Sequence, residues 1–181
     1  MLIFVISDPM AGVEVKICAS LPRLVPYFTG RFNILAEMDC HFQSTRTFLE
    51  EQKTVVLHGI GGVGKSSTAL KYAMENRARY TCTLWIDAST KRNAMQSYHE
   101  TTQLILARDE HLSPRLESLA KENEAIFVKE WLARRKGKWL LILDGLDDPA
   151  QGLDLDWFIP QTGVGDIIIT SRQKTVVTAL Q

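Results

Sequence analysis

The sequence predicts an α/β fold in which helices cover both faces of a parallel β-sheet. Four short apolar runs, each of a length typical of a buried strand, alternate with segments whose apolar residues recur at helical spacing. Successive strand positions are apolar, so both faces of the sheet are expected to be buried. The polar residues and glycines that follow the strands then lie along one edge, where α/β proteins bind ligands.

Composition fits a single globular domain. The chain has 181 residues, of which 45% are hydrophobic and 23% are charged. Lys plus Arg and Asp plus Glu both number 21, which argues against nucleic acid as an obligatory partner. The cysteines, Cys18, Cys40 and Cys82, show neither metal-ligand spacing nor an even disulfide framework, so reduced thiols are favoured over a disulfide or a metal site.

The N-terminal segment is too short in its apolar part to act as a signal peptide or to span a bilayer. The six residues "MLIFVI" are followed at once by Asp8 and Pro9. We therefore expect a cytoplasmic protein with no membrane partner. Because Pro22 and Pro26 interrupt the chain, residues 1–27 are predicted to be a leader of uncertain structure, and residues 28–181 to form the domain.

The regular elements begin at residue 54. "TVVLHG" (54–59) is predicted to be a buried strand, followed by a helix over "KSSTALKYAMENRARY" (65–80). "TLWIDAS" (83–89) is a second strand, and "NAMQSYHETTQLILAR" (93–108) is helical. Ser113 and Pro114 cap another helix, which is expected to break near residues 121–123 and resume. "KWLLILD" (138–144) and "DIIITSR" (166–172) complete the strands.

The loop after the first of these strands matches a phosphate-binding motif. Residues 59–66 fit GxxxxGK[ST] without a gap, between a predicted strand and a predicted helix as the motif requires. Glycines let backbone N–H groups surround an anion, and the helix N-terminus adds a favourable dipole. The predicted ligand is a nucleoside di- or triphosphate, bound by Gly59, Gly61, Gly62, Val63, Gly64, Lys65, Ser66 and Ser67.

Two further strand ends carry candidate site residues. Asp144 ends the run "WLLILD", and beside a phosphate loop such a carboxylate can hold Mg²⁺ through water, while Ser66 offers a hydroxyl to the ion. Arg172 ends the run "DIIITSR". Its guanidinium can contact a γ-phosphate or form a surface ion pair, and spacing alone leaves both interpretations open.

Together these segments resemble the NB-ARC domain, a member of the STAND class of signal-transducing P-loop NTPases that includes apoptotic adaptors and immune receptors. The similar segments, in the order of the family, are "FTGR" (28–31), the Walker A segment from 55 to 73, "TLWIDAST", the helix and Walker B strand from 128 to 149, and "GVGDIIITSR" (163–172).

The resemblance implies roles for single residues and for the whole chain. Phe28 and Arg31 would lie against adenine and ribose or phosphate, Asp144 would serve Mg²⁺, and Arg172 would contact the γ-phosphate. Lys65 and Asp144 would act in any catalysis. The strand that carries Arg172 would lie between the Walker A and Walker B strands. Proteins of this class are switches in innate immunity and programmed cell death, closed with ADP and oligomeric with ATP.

Two departures from the family pattern favour binding over hydrolysis. Gly145 stands where the family often has a second acid or an amide that orients the attacking water, and Asp147 and Asp148 need not replace it. If water positioning is the main deficit, Gly145→Asp is expected to raise turnover at least tenfold. The chain also ends at Gln181, before the family's helical and winged-helix subdomains, so we expect an incomplete three-layer sandwich with an exposed edge that permits self-association.

Two alternatives to a switch module with slow or no ATPase activity stay open. The first is an active P-loop enzyme, either a small-molecule kinase or another ATPase. A kinase would need a substrate-binding insert and an arginine-rich lid after Walker B, and no lid-like segment is evident. A decayed scaffold without nucleotide is favoured by Gly145 and disfavoured by the intact Lys65, Ser66 and Asp144. The histidines, His41, His58, His99 and His111, lie outside the family's motifs and are interpreted as surface or core residues.

Overall fold

The computed structural model describes residues 17–19, 21–22, 28–44, 52–109, 112–147, 155–161, 163–173 and 176. Its strands are β1 (Ile17–Ala19), β2 (Lys53–His58), β3 (Cys82–Asp87), β4 (Trp139–Asp144) and β5 (Gly165–Ser171). Its helices are α1 (Phe32–Gln43), α2 (Lys65–Glu75), α3 (Lys91–Leu106), α4 (Pro114–Glu122), α5 (Glu124–Ala133) and the short α6 (Leu155–Phe158).

The five strands form one parallel sheet in the order β1-β3-β4-β5-β2. Every pairing is parallel, with Asp87 opposite Asp144 and His58 opposite Ser171 at the carboxyl ends. The strand β5 therefore lies between β2 and β4, as the resemblance implies for the sensor, Walker A and Walker B strands. Within the described residues β2 pairs on one side only and ends the sheet.

Two separate apolar cores lie on the two faces of the sheet, which confirms the predicted three-layer α/β architecture. In β4, Leu141 and Leu143 belong to the core under α3, α4 and α5, while Leu140 and Ile142 belong to the core under α1 and α2. This alternation follows from the pleat, since neighbouring side chains of a strand point to opposite faces. Helices on both faces explain why the strands are apolar at successive positions.

The helix α1 and the strand β1 extend the predicted set of elements. The helix runs from Phe32 to Gln43 and buries Met38 and Phe42, which are four residues apart and share one face. The strand pairs with β3 through Ile17, Cys18 and Ala19. A segment of the predicted leader thus belongs to the sheet, while the boundary at residue 28 stays a prediction.

The predicted break between two helices near residues 121–123 is confirmed. Asn123 ends α4 with its N–H bonded to the Leu119 carbonyl, and its side chain accepts the Ile126 N–H to cap α5. The start of α4 also follows its sequence signal, because Ser113 accepts the Leu116 N–H and Pro114 occupies the first helical position.

A buried polar cluster lies at the edge of the sheet opposite the carboxyl ends of the strands. The fully buried Asp166 accepts a hydrogen bond from the Tyr80 hydroxyl at 2.7 Å and pairs with the Lys138 ammonium at 2.6 Å. Burial raises the pKa of the Tyr80 phenol, so the hydroxyl stays a donor to Asp166. No helix among the described residues is long and apolar enough to cross a membrane.

Candidate functional site

The predicted phosphate loop lies between β2 and α2 at the carboxyl edge of the sheet. The Gly59 N–H donates to the Ser171 carbonyl at 3.2 Å, which joins the start of the loop to the end of β5. Gly62 and Gly64 have φ values of 78° and 90°, a region that side chains disfavour, and Gly64 caps α2. The loop backbone therefore depends on glycine at the motif position Gly64 and also at Gly62, where the motif allows any residue. Ser67 lies in the first turn of α2.

The Lys65 ammonium lies over this loop. Its Nζ donates to the carbonyls of Gly59 at 2.7 Å and Ile60 at 2.9 Å. These carbonyls hold the positive charge at the loop, where an anion bound by the helix N-terminus would meet it. The arrangement matches the position that the sequence motif predicts for this lysine.

Asp144 joins the helix that follows the loop to the neighbouring strand. Its Oδ1 accepts hydrogen bonds from the Ser66 hydroxyl and the Thr170 hydroxyl, both at 2.6 Å. The Thr170 oxygen in turn accepts the Gly145 N–H at 2.8 Å. The two residues predicted to hold Mg²⁺ are therefore adjacent, although they lie 78 positions apart in the chain.

This pair of oxygens fits a magnesium site of the kind found beside phosphate loops. Mg²⁺ prefers hard oxygen ligands and usually takes one or two protein groups, with water and phosphate oxygens completing the octahedron. The Ser66 hydroxyl and the Asp144 carboxylate are the candidates for those groups. No cluster of three or more His, Cys, Asp or Glu side chains that could hold a metal occurs among the described residues.

Thr170 is a site residue that the sequence reasoning did not single out. Its side chain is buried, with 1% of its surface exposed, and it contacts both Asp144 and the backbone of Gly145. Threonine is common in strands for its β-propensity alone, so its presence in β5 does not indicate a contact with a site residue. The sequence gives no signal for it, because strand side chains point to the faces of the sheet and the contact depends on β4 being the neighbour of β5.

Arg172 lies beside the loop but is bound to an acid. Its backbone N–H donates to Asp147 Oδ1 at 2.6 Å, and its Nε contacts Asp147 Oδ2. A methyl group built on Gly61 would lie 3.9 Å from Arg172 Cδ. Both interpretations that the sequence left open are therefore compatible with its position, since the ion pair forms next to the phosphate loop.

Arg31 contacts the loop from the other side. It stands just before α1 with a left-handed φ of 63°, and its Nη2 donates to the Val63 carbonyl at 2.6 Å. Phe28 lies three residues earlier and is half-buried. The segment "FTGR" is thus adjacent to the phosphate loop through Arg31.

A cleft of about 440 Å³ runs between α1, β2 and the phosphate loop. Ile34, Met38 and Val55 give it an apolar wall, and Arg31 and Lys65 place positive groups at the loop. An apolar wall beside a phosphate loop can accept a flat base with its phosphates at the basic end. The exposed His41 and His58 also line this cleft, while the exposed His99 pairs with Glu124 and His111 lies outside the described residues.

Gly145 occupies a backbone position that disfavours the acid expected there. Its φ is +77°, and a methyl group built on it would lie 3.2 Å from Ser89 Cβ. The carboxylate of Asp147, two residues further along the chain, is hydrogen-bonded to Arg172. Asp148 lies outside the described residues. The neighbouring carboxylate of Asp87 accepts hydrogen bonds from Ser89 and Asn93 at the start of α3.

Comparison with known proteins supports the fold. No family model and no curated protein matches the chain. The crystal structure of Cdc6p from Pyrobaculum aerophilum is similar, with a TM-score of 0.54 and 16% sequence identity over 88% of this chain and 43% of that chain. The chain thus spans less than half the length of that structure. With the strand order and the phosphate loop, this likeness identifies the fold as a parallel-sheet P-loop NTPase sandwich.

Proposed function

We propose that the chain is the nucleotide-binding module of a signal-transducing switch ATPase of the NB-ARC type, with ADP or ATP and Mg²⁺ as its ligands. The observation that carries the proposal is the 2.6 Å hydrogen bond between Ser66 of the loop helix and Asp144 of β4. A phosphate loop and a strand-end carboxylate that meet in this way can offer a magnesium nucleotide a hydroxyl ligand and a carboxylate that holds the ion through water.

The other site residues have complementary roles in this proposal. The loop N–H groups and the dipole of α2 bind the phosphates, and Lys65 supplies positive charge to them. The cleft beside α1 takes the base, with Phe28 and Arg31 next to adenine and ribose or phosphate. Arg172 contacts the γ-phosphate. In any hydrolysis, Lys65 would neutralise charge on the phosphates, and Asp144 would act by holding Mg²⁺, which would supply further positive charge.

Hydrolysis is slow or absent in this proposal. Gly145 cannot orient water, and its backbone conformation disfavours an acid. Both carboxylate oxygens of Asp147 are engaged by Arg172. A general base contributes roughly 10²–10⁴ to a rate, so its absence favours a switch that holds nucleotide. The switch that contains this module would act in cytoplasmic signalling, in programmed cell death or innate immunity.

The test is calorimetric titration of the chain with ADP and Mg²⁺. Lys65→Ala removes the cation at the loop and is expected to abolish detectable binding. The matched control is Lys71→Ala on the same helix, where the lysine pairs with Glu75 at 2.9 Å and is partly exposed. This control is expected to bind as the wild type does. Equal ADP affinity in wild type and Lys65→Ala would overturn the assignment.

Self-association through the edge strand β2 is the proposed mode of protein contact. Within the described residues β2 pairs only with β5, and a strand with one unpaired side can accept another chain. Sedimentation over a range of protein concentrations tests this. A lysine introduced for Thr54, a residue of β2 that belongs to neither apolar core, is expected to shift the chain towards monomer. The same sedimentation profile for both proteins would exclude β2 as the contact.

A further inference from the structure

The ion pair between Arg172 and Asp147 restrains the arginine at two points. The backbone N–H and the side-chain Nε of Arg172 are bound by the two different oxygens of one carboxylate. The arginine side chain is 64% exposed and the aspartate side chain 19% exposed. One contact holds the backbone at the end of β5 and the other holds Nε, so the carboxylate fixes the base of the guanidinium relative to the strand.

The carboxylate that makes this contact is itself fixed. The preceding residue, Leu146, is 1% exposed, and its N–H donates to the Thr170 carbonyl at 2.9 Å. The residue before that, Gly145, is bonded to the Thr170 hydroxyl. The turn after β4 is thus tied to β5, so Asp147 is held against the end of the strand that carries Arg172.

The restrained arginine side chain lies against the phosphate loop. Arg172 Cδ would be 3.9 Å from a methyl group on Gly61, and the adjacent Ser171 carbonyl accepts the Gly59 N–H at 3.2 Å. Among the residues that the structure describes, Asp147 is the partner found for the Arg172 side chain, and it engages only Nε. The two terminal nitrogens, which carry four N–H donors, are left for an anion at the loop.

We propose that Asp147 is a positioning residue that holds Arg172 ready for a third phosphate and thereby sets the preference of the site for ATP over ADP. This inference rests on the proposed nucleotide-binding function. An arginine that is already oriented loses less side-chain freedom when it contacts a phosphate, so the contact favours binding more strongly. A diphosphate gains less from this arrangement, because it lacks the phosphate that Arg172 reaches.

The experiment measures the ratio of the dissociation constants for ADP and for a non-hydrolysable ATP analogue, both with Mg²⁺. Asp147→Asn retains an oxygen for the Arg172 N–H but places an amide or a neutral oxygen against Nε. It is expected to lower the preference for the triphosphate by about threefold to tenfold, the cost of ordering one long side chain. Asp147→Ser has a hydroxyl that can accept the same N–H, and it is expected to lower the preference for the triphosphate by a similar factor. This variant replaces Asp147→Asn in the experiment if the asparagine variant folds poorly.

A background lacking the arginine separates positioning from a direct effect of charge. In Arg172→Ala, Asp147→Asn is expected to leave the ratio unchanged, because the aspartate acts through the missing side chain. The matched control is Asp39→Asn, which breaks the Arg79 ion pair, another partly exposed Arg–Asp contact made by α1 and the turn after α2. It is expected to leave the ratio as in the wild type.

The outcomes distinguish the inference from the function beneath it. A wild-type chain that binds neither nucleotide overturns both. A wild-type chain that binds both nucleotides, with the same or a higher triphosphate preference in Asp147→Asn, overturns the positioning role alone. An equal change in the wild-type and Arg172→Ala backgrounds also overturns it, because the carboxylate would then act on the phosphates by its charge.

Discussion

At the scale of single residues, Gly145 shows how a backbone angle limits a functional interpretation. In the NB-ARC pattern that the sequence resembles, this position often carries an acid, and sequence alone predicts that Gly145→Asp restores it. A φ of +77° and a 3.2 Å approach to Ser89 Cβ change that expectation. We predict that Gly145→Asp lowers the free energy of unfolding by about 1–3 kcal/mol and raises turnover less than tenfold. Urea unfolding and single-turnover phosphate release measure the two effects.

Gly145→Ala is the control for this prediction, since it adds the same β-carbon without a carboxylate. A similar loss of stability in both variants would assign the cost to the backbone and to Ser89. An aspartate variant as stable as the wild type and at least ten times faster would contradict the prediction. It would show that water positioning is the main deficit of the site.

The residues of the site differ in how far the sequence could predict them. Ser66 and Asp144 were identified because a local motif and a strand end carry their chemistry. Thr170 was not, because its contact with Asp144 depends on which strands are neighbours in the sheet. The pairing of Arg172 with Asp147 joins a strand end to a turn 25 residues away, and spacing along the chain could only leave it open.

At the scale of elements, the long apolar strands and capped helices were predictable, whereas α1 and β1 were not. The strand β1 has three residues, too few to show a period. In α1, Ile34, Met38 and Phe42 recur at every fourth residue, but three apolar positions without a start signal do not predict a helix. Its N-cap residue, Arg31, provides no side-chain cap, so the usual start signal is absent.

The pairing of β4 with β5 supplies a prediction at this scale. Gly165 lies opposite Trp139, and a methyl group on Gly165 would come within 2.2 Å of the indole ring. Gly165→Ala is expected to destabilise the chain by about 1–3 kcal/mol, because the buried ring has to shift. The measurement is urea unfolding, in which the midpoint concentration should fall while the dependence of the unfolding free energy on urea concentration stays the same. With Trp139→Leu, the double variant should lose less than the sum of the two single losses, whereas simple additivity would exclude this contact as the cause.

At the scale of the whole molecule, the fold brings distant segments to one edge of a sheet. Residues from the loop after β2, the ends of β4 and β5 and the start of α1 meet there, although they span positions 31 to 172. The sequence could predict this meeting because parallel strands present their carboxyl ends at the same edge. A ligand that contacts all four segments should therefore stabilise the molecule as a unit.

The final prediction measures that stabilisation. ADP with Mg²⁺ at about 100 times its dissociation constant adds about 2.7 kcal/mol to the free energy of unfolding. For a domain of this size, the melting temperature should rise by about 5–10 °C. AMP should have little effect, because it lacks the phosphate that meets Lys65, and Lys65→Ala should remove the response to ADP while Lys71→Ala keeps it. A wild-type melting curve that ADP leaves unchanged would instead favour a scaffold that no longer binds nucleotide.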